Sequence, residues 1–273
     1  MADAKRAPRL AASSYLNTVP LIWSFMRGTR RREVELVTDT APARCADMLA
    51  RGEVQAALVP VIEYQRIEGL RIVPGVCVGS TSRVRSVVLV TRDEFADLRG
   101  IRTVALDVSS RTSATLVRII FREFLGFEPE WTEGAPDLEA MLARSDAALI
   151  IGDPAMTFSR RGVIVYDLAD LWRKHTGLGF VFAMWMARRD ELESVGRIDF
   201  AGARDEGLAH VAEIAALYSR AVNLPLAEVR SYLLENISFD LSREMRAGLD
   251  LFYRLAHKHG MIPEVRPLQM VGG

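Results

Sequence analysis

Short apolar runs of strand length alternate with helix-period stretches through the first half of the chain. That alternation restricts the fold to a sheet with helices packed on it. RLAAS (9–13), VELVT (34–38) and QAALVP (55–60) read as short buried strands. Between the last two, APARCADMLARG (41–52) reads as a helix, with Pro42 suited to its first turn and Gly52 to its stop. Strands that alternate with helices predict a mostly parallel sheet, so the expected fold class is α/β.

A second unit repeats the pattern. TVALD (103–107) is a strand, TSATLVRIIFREFLG (112–126) a helix ending at Gly126, and AALII (147–151) a further strand. MLARGEVQAALVP (48–60) resembles MLARSDAALII (141–151), weak support for two similarly built lobes. Two longer apolar runs, RVRSVVLVTR (83–92) and FVFAMWMARR (180–189), flank the second unit like segments leaving one lobe and returning to it. From about Glu206 the chain is helical, and Ser242 is placed to cap its last long helix. The expected organisation is one discontinuous lobe, 1–90 plus 190–273, and a second lobe, 91–189. A ligand cleft lies between them.

Composition excludes several classes. Lys+Arg and Asp+Glu both number 35, so nothing predicts a nucleic-acid or membrane partner, and no protein partner is evident. Arg30, Arg31 and Arg32 read as a solvated turn. No apolar run reaches the ~18 residues of a membrane span. The opening residues carry charge without an apolar core, so no export signal is expected and the expected location is the cytoplasm. Cys45 and Cys77 stand far apart and read as buried apolar residues of a reducing compartment. His175, His210, His257 and His259 all lie beyond the strand–helix loops, with His257 and His259 suited to a helix end. No Cys/His spacing suits zinc and no G-x-S-x-G occurs, so neither metal nor cofactor is expected.

The polar loops after the strands carry the candidate chemistry, because ligands of open α/β sheets bind at the carboxyl edge. In SSYLNTVP (13–20), Asn17 and Thr18 either cap the next helix or offer polar groups to a ligand. In DVSSRTSATL (107–116), Ser109, Ser110, Thr112 and Ser113 surround a helix N-terminus. There, free N–H groups and the helix dipole favour an anion. Without a glycine-rich phosphate loop, a carboxylate is the expected ligand. In IIGDPAM (150–156), Gly152 permits close backbone approach, and Asp153 either caps the following turn or acts as a base. Glu63 reads as a surface or hinge residue. Ser86, polar within an apolar run, either faces solvent or touches a ligand from a cleft wall.

Four motifs together resemble the chorismate dehydratase family of the futalosine route to menaquinone. They are Ser14-Tyr15-Leu16-Asn17-Thr18-x-Pro20-Leu21, Val59-Pro60-x-x-Glu63-Tyr64, Asp107-x-Ser109-Ser110-Arg111-Thr112-Ser113 and Ile151-Gly152-Asp153-x-Ala155. The first is the most specific, and the likeness weakens in the C-terminal helices. The resemblance implies a two-lobed periplasmic-binding-protein-like (type II) fold, cofactor-free and cytoplasmic. It implies loss of water from chorismate to give 3-[(1-carboxyvinyl)oxy]benzoate. On these positions the expected catalytic residues are Asn17, Ser86 and Asp153. The expected substrate contacts are Tyr15, Thr18, Pro60, Ser109, Ser110, Arg111, Thr112, Ser113 and Gly152. The base is expected to be the substrate's enolpyruvyl carboxylate, with Asp153 as runner-up. A sister family that makes 1,4-dihydroxy-6-naphthoate shares the fold. Its N-terminal loop reads S-P-C-P-N-D and it uses a His base, and neither occurs here. The reading from a different class is a non-catalytic small-carboxylate-binding protein.

Overall fold

The computed structural model describes residues 7–95 and 97–272. Four strands, β1 (Arg9–Ser13), β2 (Glu35–Asp39), β3 (Ala56–Pro60) and β4 (Leu70–Ser80), begin a first sheet. The chain then builds a second sheet from β5 (Val87–Arg92), β6 (Thr103–Asp107), β7 (Glu130–Gly134), β8 (Ala147–Ile151) and β9 (Val163–Asp167). It returns to the first sheet with β10 (Phe180–Arg188). The strand orders are β2-β1-β3-β10-β4 and β7-β6-β8-β5-β9, the same topology twice.

In each sheet four strands share one direction, and one strand enters antiparallel between the third of them and the edge strand. Strand direction is mostly parallel as expected, and the one inserted strand makes each sheet mixed. Physically, β5 and β10 are the strands that arrive directly from the other lobe. β5 begins opposite Ile151, the carboxyl end of β8, and β10 opposite Ser80, the carboxyl end of β4, so each starts at the edge where its neighbours finish and runs against them. The strand part of each run, Val87–Arg92 and Phe180–Arg188, lies inside a sheet. The passage between sheets therefore falls between Ser80 and Val87, and again between Thr176 and Phe180. A boundary at 90 cuts through β5, which pairs in the second sheet, and one at 189 groups β10 with the second lobe although it pairs in the first sheet.

Local sequence accounts for the helices that position the loops. Pro42 opens the helix Pro42–Ala50, and Gly52 follows it at φ 72°. The helix Thr112–Ile119 runs on as a π-helical segment, Ile120–Leu125, and stops at Gly126 with φ 80°. Ser242 caps the helix Arg243–Lys258 by accepting from Met245 N–H at 3.1 Å. That helix touches both lobes. Tyr253 donates to the Val61 carbonyl at 2.7 Å, and Lys258 pairs with Glu123 at 2.7 Å. His259 also bonds Glu123, so it joins the lobes.

One apolar core runs continuously through both sheets, from Leu10 and Val59 to Leu149 and Phe252. A smaller cluster, with Val90, Met141 and Ile150, covers the far face of the second sheet. Among the described residues, no helix is long and apolar enough to cross a membrane.

Candidate active site

The carboxyl ends of β1 and β3 face the carboxyl ends of β6 and β8 across a cavity of about 60 Å³. Asn17, Thr18 and Pro60 line it from one lobe; Ser109, Ser110, Arg111, Thr112, Ser113 and Gly152 line it from the other. Leu58, Phe182 and Ile151 add flat apolar walls. These loops meet because both sheets have one topology and turn the same edge toward the cleft.

Asn17 and Thr18 do not cap a helix. Residues Leu16–Thr18 form a single 3₁₀ turn, and no side chain bonds the first turn of the helix Val19–Met26. Thr18 is buried, with Oγ1 2.8 Å from Ser13 Oγ and 3.4 Å from Asn17 Oδ1. The Thr18 hydroxyl thus turns Asn17 Oδ1 inward and leaves the Nδ2 donors for other partners. The capping alternative for both residues is removed.

Opposite, Asp107 at the end of β6 accepts Ser109 N–H at 2.8 Å and Ser109 Oγ–H at 2.6 Å. Burial raises the Asp107 pKa. Neither Ser110 nor Thr112 nor Ser113 caps the helix Thr112–Ile119, whose N-terminus opens on the cavity. First-turn N–H groups, a helix dipole and small buried hydroxyls make that end receptive to a carboxylate.

Gly152 carries φ 69°, and a Cβ there would lie 2.6 Å from the Tyr15 ring. A side chain at this position would hold the lobes apart. Gly152 N–H also donates to the Ser86 carbonyl at 2.8 Å, which places Ser86 behind the cavity wall and fully buried. The alternative of a solvent-facing Ser86 is thereby overturned. Asp153 does not cap the turn it precedes. Its Oδ1 accepts Leu16 N–H from the other lobe at 3.0 Å, and burial pushes its pKa up to about 6. Tyr15 lies beside Ser109, and burial raises its phenol.

Arg111 lines the cavity, yet its guanidinium is already paired. It reaches Glu63 at 2.9 Å and Asp47 at 2.6 Å, both on the opposite lobe. Glu63 is buried and also binds Arg66 at 3.2 Å, so it is not the surface residue that one reading of the sequence suggested. Thr112 Oγ1 accepts Ile62 N–H at 3.3 Å, a further link across the cleft. Arg111, Glu63, Thr112 and Asp153 thus hold the lobes together around the cavity.

Sequence reasoning missed Asp47 and Tyr232. Asp47 sits in a helix with nothing to separate it from any surface carboxylate. Tyr232 lies in a π-helical turn, Tyr232–Asn236, of the C-terminal part. Its phenol is fully buried beside Ser86 and Asn17. The π-helical turn, a geometry frequent at functional sites, leaves no pattern in the sequence. Cys45 and Cys77 are free and buried as expected, with burial pushing Cys45 up to about 12. Among the described residues, no group of three or more His, Cys, Asp or Glu side chains is placed to hold a metal ion.

Two lobes of this topology, closing on a cavity at their facing edges, define the class of periplasmic-binding-protein folds. Solved structures agree. A protein of Archaeoglobus fulgidus matches with a TM-score of 0.72 at 18% identity, covering 95% of this chain and 100% of that one. A Candida albicans gene product described as having the generic periplasmic binding protein fold matches at 0.68 and 13%, covering 95% and 92%. The aliphatic sulphonate binding protein SsuA of Escherichia coli matches at 0.64 and 18%, covering 99% and 95%. Within that class the chain belongs to the menaquinone-biosynthesis family, whose profile matches residues 8–258. Over 262 residues it is 30% identical to the chorismate dehydratase of Thermus thermophilus, covering 89% of this chain and 93% of that one.

Proposed function

We propose that this protein is a chorismate dehydratase, a carbon–oxygen hydro-lyase that converts chorismate to 3-[(1-carboxyvinyl)oxy]benzoate and water. The observation that carries the proposal is the convergence of Asn17, the hydroxyls at 109–113 and Gly152 on one cavity between the lobes. Family membership supports it. Chorismate brings two carboxylates and a flat diene. The helix N-terminus at Thr112 suits one carboxylate, and the apolar walls suit the ring.

The reaction breaks the ring C3–H bond and the C4–O bond. The C–H electrons become the last π bond of the benzene ring, and the C–O pair leaves with the hydroxyl. Aromatisation drives the step, so the protein has mainly to position and to shield. Asn17 Nδ2 donates to the departing hydroxyl, where negative charge grows. Ser86 assists from behind the cavity wall, on the crossing segment. The enolpyruvyl carboxylate of the substrate takes the ring proton, with Asp153 as the competing base. A cytoplasmic site of action belongs to the same proposal.

Incubation of the purified protein with chorismate tests it. The expected result is an aromatic product lighter than chorismate by one water. Chorismate bound but unchanged returns the protein to the non-catalytic carboxylate-binding class.

A further inference from the structure

We infer that Tyr232 is a positioning residue of this site, its buried phenol fixing the Asn17 side chain, with Ser86 beside it, from behind the cavity wall. The inference rests on the dehydratase proposal for its kinetic consequence, but not for its geometry.

The geometry comes from one helical stretch. Glu228 Oε2 accepts from Arg85 Nη2 at 2.9 Å, and Asn236 Nδ2 donates to the Arg83 carbonyl at 3.0 Å. Both partners belong to the crossing segment between β4 and β5. Tyr232 lies about one turn from each of Glu228 and Asn236, between two residues that both bond the crossing. The next residue of the crossing after Arg85 is Ser86, whose carbonyl holds Gly152 N–H.

The Tyr232 ring is buried, and its hydroxyl has no partner in hydrogen-bonding geometry. Its polar neighbours are the Ser86 hydroxyl and the Asn17 side chain. A buried hydroxyl without a partner demands a reason. Here the neighbours are two of the three groups proposed to act on the substrate. Ser86 Oγ has only a marginal contact of its own, 3.5 Å to the Val84 carbonyl. Asn17 Oδ1 is held on its other side by Thr18 Oγ1 at 3.4 Å. With Oδ1 so held, rotation of the amide can bring one Asn17 N–H to the phenol oxygen and leave the second for the substrate. Such contacts are commonly long without a substrate and shorten when one binds. Tyr232 then settles which way the amide points, the choice between presenting N–H or C=O to a leaving hydroxyl.

Tyr232→Phe removes the oxygen and keeps the ring. Since the hydroxyl lacks a partner, thermal stability is expected to stay level or rise. For chorismate, kcat is expected to fall by about 10- to 100-fold with KM changed less than about threefold, because donor placement matters most in the transition state. A purely structural role moves stability and leaves that kcat-against-KM split untouched. A second measurement does not need turnover. In a ¹⁵N-labelled protein, the Asn17 side-chain amide pair is assigned as the one missing from Asn17→Ala. That pair is expected to shift in Tyr232→Phe. An unmoved amide pair overturns the inference whatever the protein does to chorismate. So does kcat within about twofold of the parent, once the parent is shown to turn chorismate over.

Discussion

At the scale of single residues, the candidate site is built from side chains that the ordinary local rules leave unexplained. Asn17 sits one residue before Thr18, the N-cap position of the helix Val19–Met26, and neither side chain caps that helix. Asn17→Ala is therefore expected to cost less than the ~1 kcal/mol typical of a lost cap, read from urea denaturation. Asn17→Asp is expected to fold normally and to lose about 100-fold or more in kcat, because it sets a carboxylate against a dianion in place of a donor. Near-normal turnover by a well-folded Asn17→Asp variant returns Asn17 to a structural role.

Asp153 gives a pH-dependent test at the same scale. It ionises at about 6 in the folded protein against an ordinary 3.8. Between those values the folded state holds the extra proton, so stability falls as pH rises through them. The loss, complete above about pH 6, is on the order of 1–3 kcal/mol. Asp153→Asn keeps an acceptor for Leu16 N–H and carries no charge. Its stability is expected to match the parent below about pH 4 and to exceed it by that amount at about pH 8. If the substrate carboxylate is the base, the variant keeps turnover within about tenfold; a loss beyond about 100-fold makes Asp153 the base.

At the scale of elements, the crossing between β4 and β5 is the most constrained segment near the site. The Asp167 carboxylate accepts Val84 N–H at 3.2 Å and Arg85 N–H at 2.7 Å. It also accepts Ala169 N–H at 3.0 Å and Asp170 N–H at 3.2 Å. One buried side chain thus caps the helix Leu168–Thr176 and pins the crossing that carries Ser86. Arg85 there has φ 64°, a left-handed geometry that a non-glycine residue keeps only when its surroundings hold it. Asp167→Ala is expected to cost about 2–4 kcal/mol by denaturation, since it strands several buried donors at once. Asp137→Ala, which frees only Ala140 N–H on an exposed helix end, is expected to cost less than about 1 kcal/mol. Equal losses in the two variants would show that the crossing draws no support from Asp167.

At the scale of the whole molecule, the two lobes are drawn together by charge. Glu63 is buried between Arg66 and Arg111, and Arg111 also holds Asp47. The cavity of about 60 Å³ lies far below the ~300–1,000 Å³ usual for a ligand site. Substrate entry therefore requires the lobes to part, and these pairs set how readily they do. Glu63→Gln leaves two guanidinium groups facing a neutral amide. It is expected to raise the radius of gyration in small-angle scattering and to raise KM by about three- to tenfold, with a smaller change in kcat. An unchanged scattering profile together with an unchanged KM rules out a latch at Glu63.

The sequence by itself determined the local grammar. Strand and helix periods along 9–60 and 103–151, Pro42 and Gly52 at the two ends of one helix, Ser242 as a cap and Gly126 as a stop all rest on interactions within a few residues. The motif loops at 13–20, 107–116 and 150–156 were legible for the same reason: polar residues stood where strand ends needed few of them. Tertiary structure alone decided what joins those loops. Which sheet β5 and β10 enter depends on pairing partners far along the chain, so their apolar runs looked like linkers. Arg111 looked available for a ligand until Glu63 and Asp47 met it from the other lobe. Tyr232 went unremarked in the helical C-terminal part until the fold brought its phenol beside Ser86 and Asn17. Such placements are long-range, and no periodicity within one segment records them.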